Sequence, residues 1–215
     1  MKLKKFTPSF LLFFVFIVYT LVIKFVDVAP IGPNGSEIGL SSLNGVLANI
    51  LPYNDFFYSV TKIIALFSFM YIGFFALLGL IQLIKGKSFK KVDPAIYGLG
   101  GLYILTVLFY VLFEVLIINY RPIITDGELE ASFPSSHTML AISVLGSAII
   151  YFIYRFKQKK PFIVANSVLI ILMVGGRLLS GVHWLTDIVG GIILGSALVS
   201  LYLAYMGAVN PPVEK

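Results

Sequence analysis

Long apolar runs separated by short polar segments dominate the sequence. Six of these runs are close to, or longer than, the roughly 20 residues that an α-helix needs to cross a bilayer. Most of the charged residues lie between the runs. The pattern therefore predicts six transmembrane helices, at Phe10 to Val26, Phe57 to Ile84, Ala95 to Ile118, Thr138 to Tyr154, Phe162 to Leu179 and Trp184 to Met206.

The composition also favours a membrane protein. Of the 215 residues, 59% are hydrophobic and 12% are charged, and the mean hydropathy is +0.97, well above that of a soluble domain. We predict an all-α, polytopic fold with a single domain over residues 1–215. The net charge of +6 does not indicate nucleic-acid binding, which needs a basic face on a water-soluble surface. Because the chain has no cysteine, disulfides and thiolate metal sites are excluded.

The distribution of basic residues predicts the orientation in the membrane, because cytoplasmic loops carry an excess of lysine and arginine. Basic clusters begin the chain and follow the second and fourth spans, at Lys2, Lys4, Lys5, Lys85, Lys87, Lys90, Lys91, Arg155, Lys157, Lys159 and Lys160. The alternate loops carry Glu37, Asp55, Asp126, Glu128 and Glu130. Both termini are therefore expected in the cytoplasm. In the first outer loop, residues 40–51 are expected to form a short amphipathic helix.

Chemically active residues gather at four predicted helix ends on the outer side. They are Arg121 after the third span, Ser135, Ser136 and His137 at the start of the fourth, Arg177 at the end of the fifth, and His183 and Asp187 at the start of the sixth. The chain has two histidines, and both are expected in the first turn of a helix that starts on this side. We therefore expect one active site there.

Taken one at a time, these features have structural explanations. Arginine before proline suits a helix end, serine suits a helix start, and Gly191 with Gly195 suits close helix packing. Together they suit phosphate chemistry. Guanidinium groups offer forked donors to phosphate oxygens, and a helix start adds unpaired amides. An imidazole held by a carboxylate is a competent nucleophile, and a second imidazole can protonate a leaving alkoxide.

Three segments in this order resemble the motifs of the type-2 phosphatidic acid phosphatase superfamily. They are Arg121-Pro122, Pro134-Ser135-Ser136-His137 and Arg177-Leu178-Leu179-Ser180-Gly181-Val182-His183-Trp184-Leu185-Thr186-Asp187. The resemblance covers residues 114–195 by motif, and the six-span pattern extends it to the whole chain. It implies a lipid phosphatase that needs no metal or cofactor.

The resemblance also implies a role for each residue of the site. His183, held and made more basic by Asp187, would form a phosphohistidine. His137 would protonate the leaving group and then activate water. The phosphate oxygens would be held by Arg121, Arg177, Ser136 and Ser135.

Two positions depart from the family pattern. Gly176 stands where a serine usually precedes the arginine of the third motif, and Glu114 stands where a phosphate-binding lysine usually lies seven residues before Arg121. A carboxylate inside a span is costly unless it is paired or protonated. We therefore expect Glu114 to orient Arg121 or Arg177. A changed substrate preference or pH response, and a loss of catalysis, stay open as alternatives.

The residues together favour an enzyme. The alternatives are a non-catalytic phospholipid-binding or lipid-transport protein, with Glu114 as its main support, and a proton-coupled transporter. The vanadium haloperoxidases share the motifs, but six spans argue against that assignment. The candidate substrates are undecaprenyl diphosphate, phosphatidylglycerol phosphate and phosphatidic acid, and neither the choice among them nor the oligomeric state follows from the sequence.

Overall fold

The computed structural model describes residues 3–124 and 127–209, so Lys2 and Asp126 of the orientation argument lie outside the described residues. The described part contains seven α-helices: α1 (Thr7–Phe25), α2 (Ser41–Ile50), α3 (Asp55–Gly86), α4 (Pro94–Val115), α5 (Ser136–Arg155), α6 (Lys160–Leu179) and α7 (Leu185–Val209). All except the short α2 are long and apolar enough to cross a membrane. The prediction of an all-α protein with six spans is confirmed.

Helices α5 and α7 form the centre of the bundle. In their most apolar segments 61% and 50% of the residues are buried, whereas the fraction is 33% or less in the other four spans. A Cβ added at Gly191 would lie 2.8 Å from the carbonyl oxygen of Ser135, and one at Gly195 would lie 2.9 Å from the Cβ of Ile142. The predicted role of these glycines in helix packing is confirmed. The close approach fixes the start of α5 against the start of α7.

At the opposite end of the bundle, an ion pair joins α4 to α5. Asp93 caps α4 by accepting a hydrogen bond from the amide of Ala95, and Pro94 suits the first helical position because it has no amide to leave unpaired. Arg155, in the last turn of α5, donates to both carboxylate oxygens of Asp93 at 2.6 and 2.7 Å. The guanidinium of Arg155 holds the pKa of Asp93 below its usual value.

The predicted end of the third span is wrong by three residues. Helix α4 ends at Val115 rather than at Ile118, and the described residues 116–124 and 127–135 belong to the loop before α5. Two strand-like segments of this loop pair antiparallel: the amide of Ser132 donates to the carbonyl of Asn119 at 2.9 Å, and the amide of Arg121 donates to the carbonyl of Glu130 at 3.0 Å. The early end of α4 lets the side chain of Asn119 point inward, where it is buried.

The predicted start of the sixth span is also wrong. Helix α7 begins at Leu185, so His183 lies in the preceding turn and not in the first turn of the helix. The helix begins at this point because Asp187, in its first turn, caps it. A carboxylate oxygen of Asp187 accepts a hydrogen bond from the amide of Trp184 at 3.0 Å. An acidic residue in the first turn that reaches back to the capping amide is a common helix start.

The short helix expected at residues 40–51 is present as α2. Its buried Asn44 donates to the hydroxyl of Thr186 at 2.9 Å and to the carbonyl of Gly39 at 2.8 Å. These bonds hold α2 against the start of α7, next to His183.

Candidate active site

The polar residues singled out in the sequence lie together at one end of the bundle. Five of them line a cavity of about 680 Å³ and a much smaller adjoining pocket. Ser136 and Glu114 belong to both, the larger cavity adds Arg121, Glu130 and His137, and the smaller pocket adds Ser132 and His183. Arg177 joins this group through a hydrogen bond of 2.8 Å between its guanidinium and Nε2 of His183.

A serine that the sequence did not single out lies between His183 and Asp187. The oxygen of Ser132 is 2.9 Å from Nδ1 of His183 and 2.5 Å from Oδ2 of Asp187. The direct distance between Nδ1 and Oδ2 is 4.0 Å, too long for a hydrogen bond. The carboxylate therefore contacts the imidazole through a hydroxyl.

These contacts select the tautomer of His183. A serine hydroxyl has a single proton, and Ser132 donates it to Asp187. Nδ1 of His183 must then be the donor to Ser132, which leaves a lone pair on Nε2. The donor that meets this lone pair is the guanidinium of Arg177. Nε2 of His183 thus lies beside a positively charged guanidinium.

His183 is buried, with 5% of its surface exposed, and it lies in the turn between α6 and α7. Burial, and then the positive charge of Arg177, hold the pKa of His183 well below its usual value. The direction follows because both effects penalise the protonated ring. The imidazole is therefore neutral at neutral pH, and the lone pair on its Nε2 accepts the hydrogen bond from Arg177.

Asp187 is held by further donors. The side-chain amide of Asn119 donates to its Oδ1 at 3.2 Å, and the backbone amide of Trp184 donates to Oδ2. The oxygen of Asn119 in turn accepts from the amide of Gly39 at 3.1 Å. Asp187 is fully buried, and this set of donors offsets part of the loss of solvent around its carboxylate.

The sequence departure at Gly176 has a structural explanation. A Cβ at this position would lie 2.6 Å from the methyl group of Thr61 on α3, so a serine would not fit without a shift. The hydroxyl of the same Thr61 accepts a hydrogen bond from the buried guanidinium of Arg177 at 3.3 Å. A hydroxyl beside this arginine is thus supplied by α3.

Arg121 is paired with a different carboxylate from the one expected. Its guanidinium lies 2.9 Å from Glu130, across the two paired segments of the loop. Glu114 takes part in no ion pair among residues 3–124 and 127–209, and lines the cavity instead. The structure therefore gives the arginine-orienting contact to Glu130, because α4 ends one residue after Glu114 and the loop carries Arg121 toward its own return segment.

The two serines at the start of α5 have different environments. Ser135 is fully buried; its amide donates to the carbonyl of Asp187 at 2.9 Å, and its hydroxyl bonds to Thr138 at 3.1 Å. Both polar groups are thus engaged inside the protein, and the phosphate-binding role of Ser135 stays a prediction. Ser136 and His137 line the cavity, and amides of a first helical turn have no partner within the helix.

Three ring or guanidine nitrogens at the site are buried without a hydrogen-bond partner in the described part of the chain. They are Nδ1 of His137 and the Nε atoms of Arg121 and Arg177. Buried polar atoms are seldom left unpaired. Groups of this kind, around one cavity, suit the binding of a strongly polar ligand.

Comparisons with known proteins agree with this arrangement. The chain is similar in structure to a transmembrane PAP2-type phosphatidylglycerolphosphate phosphatase from Bacillus subtilis, with a TM-score of 0.67 and 19% sequence identity over 95% of this chain and 98% of that one. No curated protein matches the chain significantly. The family model of the PAP2 superfamily matches residues 115–211, which include Arg121, His137, Arg177, His183 and Asp187. Over this segment the chain is similar to the PAP2 superfamily.

Proposed function

We propose that this protein hydrolyses a phosphate ester or diphosphate of a membrane lipid through a phosphohistidine on His183. The observation that carries the proposal is the environment of one atom. Nε2 of His183 has a lone pair and lies 2.8 Å from the guanidinium of Arg177. The other ring nitrogen, Nδ1, bonds to Ser132, which in turn donates to Asp187. A phosphate bound by Arg177 would meet this nitrogen directly.

In the proposed reaction the lone pair of His183 attacks phosphorus, and a P–N bond forms as the P–O bond to the leaving group breaks. His137 gives its proton to the departing oxygen and then takes one from water. The water oxygen attacks phosphorus, the P–N bond breaks, and inorganic phosphate leaves. Arg121, Arg177 and Ser136 hold the other oxygens as charge shifts during transfer. The scheme needs no metal, so a chelator is expected to leave the rate unchanged.

An apolar groove supports a lipid as the substrate. The large cavity shares Phe69, Thr106, Val107 and Leu140 with a second cavity of about 340 Å³, which continues along α5 to Val144. Val144 lies seven residues beyond His137, or roughly 10 Å along the helix axis. A phosphate at His137 could therefore keep its hydrocarbon chain in the groove between α3, α4 and α5.

The first test is phosphate release by the detergent-purified protein from lipid phosphates of long and short chain length. We expect turnover of the long-chain substrates, and we expect Val107→Trp to raise their KM about tenfold while leaving a short-chain phosphate unaffected, since the indole would fill the groove. Val111→Trp is the matched control, because Val111 is also exposed on α4 but does not line the groove. Binding of these lipids without release of phosphate would instead support a non-catalytic lipid-binding protein.

We also propose that both termini are cytoplasmic and that the site is extracytoplasmic, on the strength of the basic residues near the opposite end of the bundle. In this cysteine-free chain, a cysteine at Glu128 should react with a membrane-impermeant thiol reagent in intact cells, and one at Gln158 should react only after lysis. Labelling of Gln158→Cys alone would place the site in the cytoplasm.

A further inference from the structure

A lysine in α3 is a cation near the site that the proposed reaction does not use. Lys62 lies seven residues after the start of α3, roughly 10 Å along its axis. A lysine at this depth is costly unless its ammonium finds a partner or extends to the interface. Its Nζ lies 4.0 Å from the ring centroid of Tyr58, one turn nearer the helix start.

The same aromatic ring connects Lys62 to the active site. The guanidinium carbon of Arg177 lies 5.4 Å from the centroid of Tyr58. The ammonium of Lys62 and this guanidinium carbon are therefore separated by no more than the sum of their distances to that centroid. Thr61, the neighbour of Lys62, contacts the guanidinium directly.

The net charge of the side chains around the cavity indicates a role for Lys62. Without it, the charges around the cavity are the two arginines, the ion-paired Glu130 and the cavity-lining Glu114. These four charges sum to zero, and the buried carboxylate of Asp187 adds one negative charge behind His183. The site without Lys62 therefore gives little net attraction to a phosphate dianion. Lys62 adds one positive charge.

We propose that Lys62 is a phosphate-binding residue of this site, whose ammonium contacts the phosphate oxygens from the α3 side. The proposal rests on the proposed function for the identity of the substrate. If Lys62 served only as an interfacial anchor, its loss would not change the affinity for phosphate. The geometry around Tyr58 and Arg177 favours the binding role.

The test compares Lys62→Met with Lys62→Arg and with a matched control. Lys24→Met is that control: Lys24 is exposed near the same end of the bundle and donates to the carbonyl of Ile117 at 3.4 Å, away from the cavity. Two quantities are measured: the KM and kcat for a lipid phosphate, and the dissociation constant of inorganic phosphate from thermal stabilisation of the protein. We expect Lys62→Met to raise both KM and the dissociation constant at least about tenfold, with a smaller change in kcat.

The controls separate charge from packing. Lys62→Arg should retain most of the affinity, and Lys24→Met should be unchanged. If charge balance is the cause, Glu114→Gln in the Lys62→Met background should recover part of the lost affinity. Unchanged constants in Lys62→Met, or equal losses in the Lys24 and Lys62 variants, would overturn the proposal.

This inference and the proposed function can fail separately. If inorganic phosphate binds in a manner that depends on Lys62 but no lipid is hydrolysed, the anion site stands and the phosphatase proposal fails. If lipids are hydrolysed and Lys62→Met has an unchanged KM, the phosphatase stands and the role of Lys62 fails.

Discussion

Replacement of His183 by glutamine is expected to reduce phosphate release by about 10⁴-fold or more, because the loss of a covalent nucleophile removes the reaction path itself. Glutamine retains a polar side chain of similar reach, with one donor and one acceptor for Ser132 and Arg177. Its amide nitrogen has no available lone pair, so it cannot form the P–N bond. The loss should therefore appear with little change in the unfolding temperature.

The covalent step can be observed independently of the rate. Quenching with radiolabelled substrate should trap an acid-labile, base-stable phosphoprotein in the parent chain and none in His183→Gln. His137→Gln should accumulate the adduct when the substrate has a good leaving group, since the second step then lacks its base. Phosphate release by His183→Gln near the parent rate would remove the mechanism.

The parts that could be predicted from the sequence are those with a local signal. Each membrane span is a long and predominantly apolar run, so the existence of six helices follows from hydrophobicity alone. The two histidines, Asp187 and the arginines could be identified because they fall at the boundaries of such runs. Their convergence follows from the alternation of the spans, which brings every second boundary to the same side.

The residues that were missed have no such signal. Ser132 is one serine in an irregular loop, and its contact with Asp187 joins positions 55 residues apart. Asn119 lies four residues beyond the last residue of α4, directly after the apolar run that predicts the third span. Thr61 and Lys62 lie on a helix that contributes no motif, and only the packing of α3 against α6 brings them to Arg177.

The position of Glu114 shows the same limit. Helical spacing alone placed Glu114 two turns from Arg121 on one continuous helix, where a pair is plausible. Helix α4 ends at Val115, and the chain reverses direction after it. The guanidinium of Arg121 is therefore paired with Glu130 and not with Glu114. A sequence pattern cannot predict which of two carboxylates is closer when an irregular loop determines both positions.

The contact between Ser132 and Asp187 leads to a prediction about how the carboxylate acts. If Asp187 orients His183 through the serine hydroxyl, the two residues form one functional unit. Asp187→Asn is expected to reduce kcat about 10⁴-fold, the loss seen when the carboxylate of a catalytic triad is replaced by its amide. Ser132→Ala should cause a loss of about 10²-fold, because Nδ1 loses its acceptor and the other tautomer becomes accessible. Ser132→Thr keeps the hydroxyl and should recover much of the rate.

The decisive measurement is the double variant. Residues that act as a unit are strongly non-additive, so Ser132→Ala with Asp187→Asn should be no slower than Asp187→Asn alone. Ser180→Ala is the matched control: Ser180 is also fully buried near the site, but its hydroxyl donates to the carbonyl of Arg177 at 2.8 Å, so its loss should lower stability without the loss in kcat. Full activity in Ser132→Ala would mean that the imidazole turns to meet Asp187 directly, across the present 4.0 Å. Losses that multiply in the double variant would mean that Ser132 and Asp187 act on His183 by independent routes.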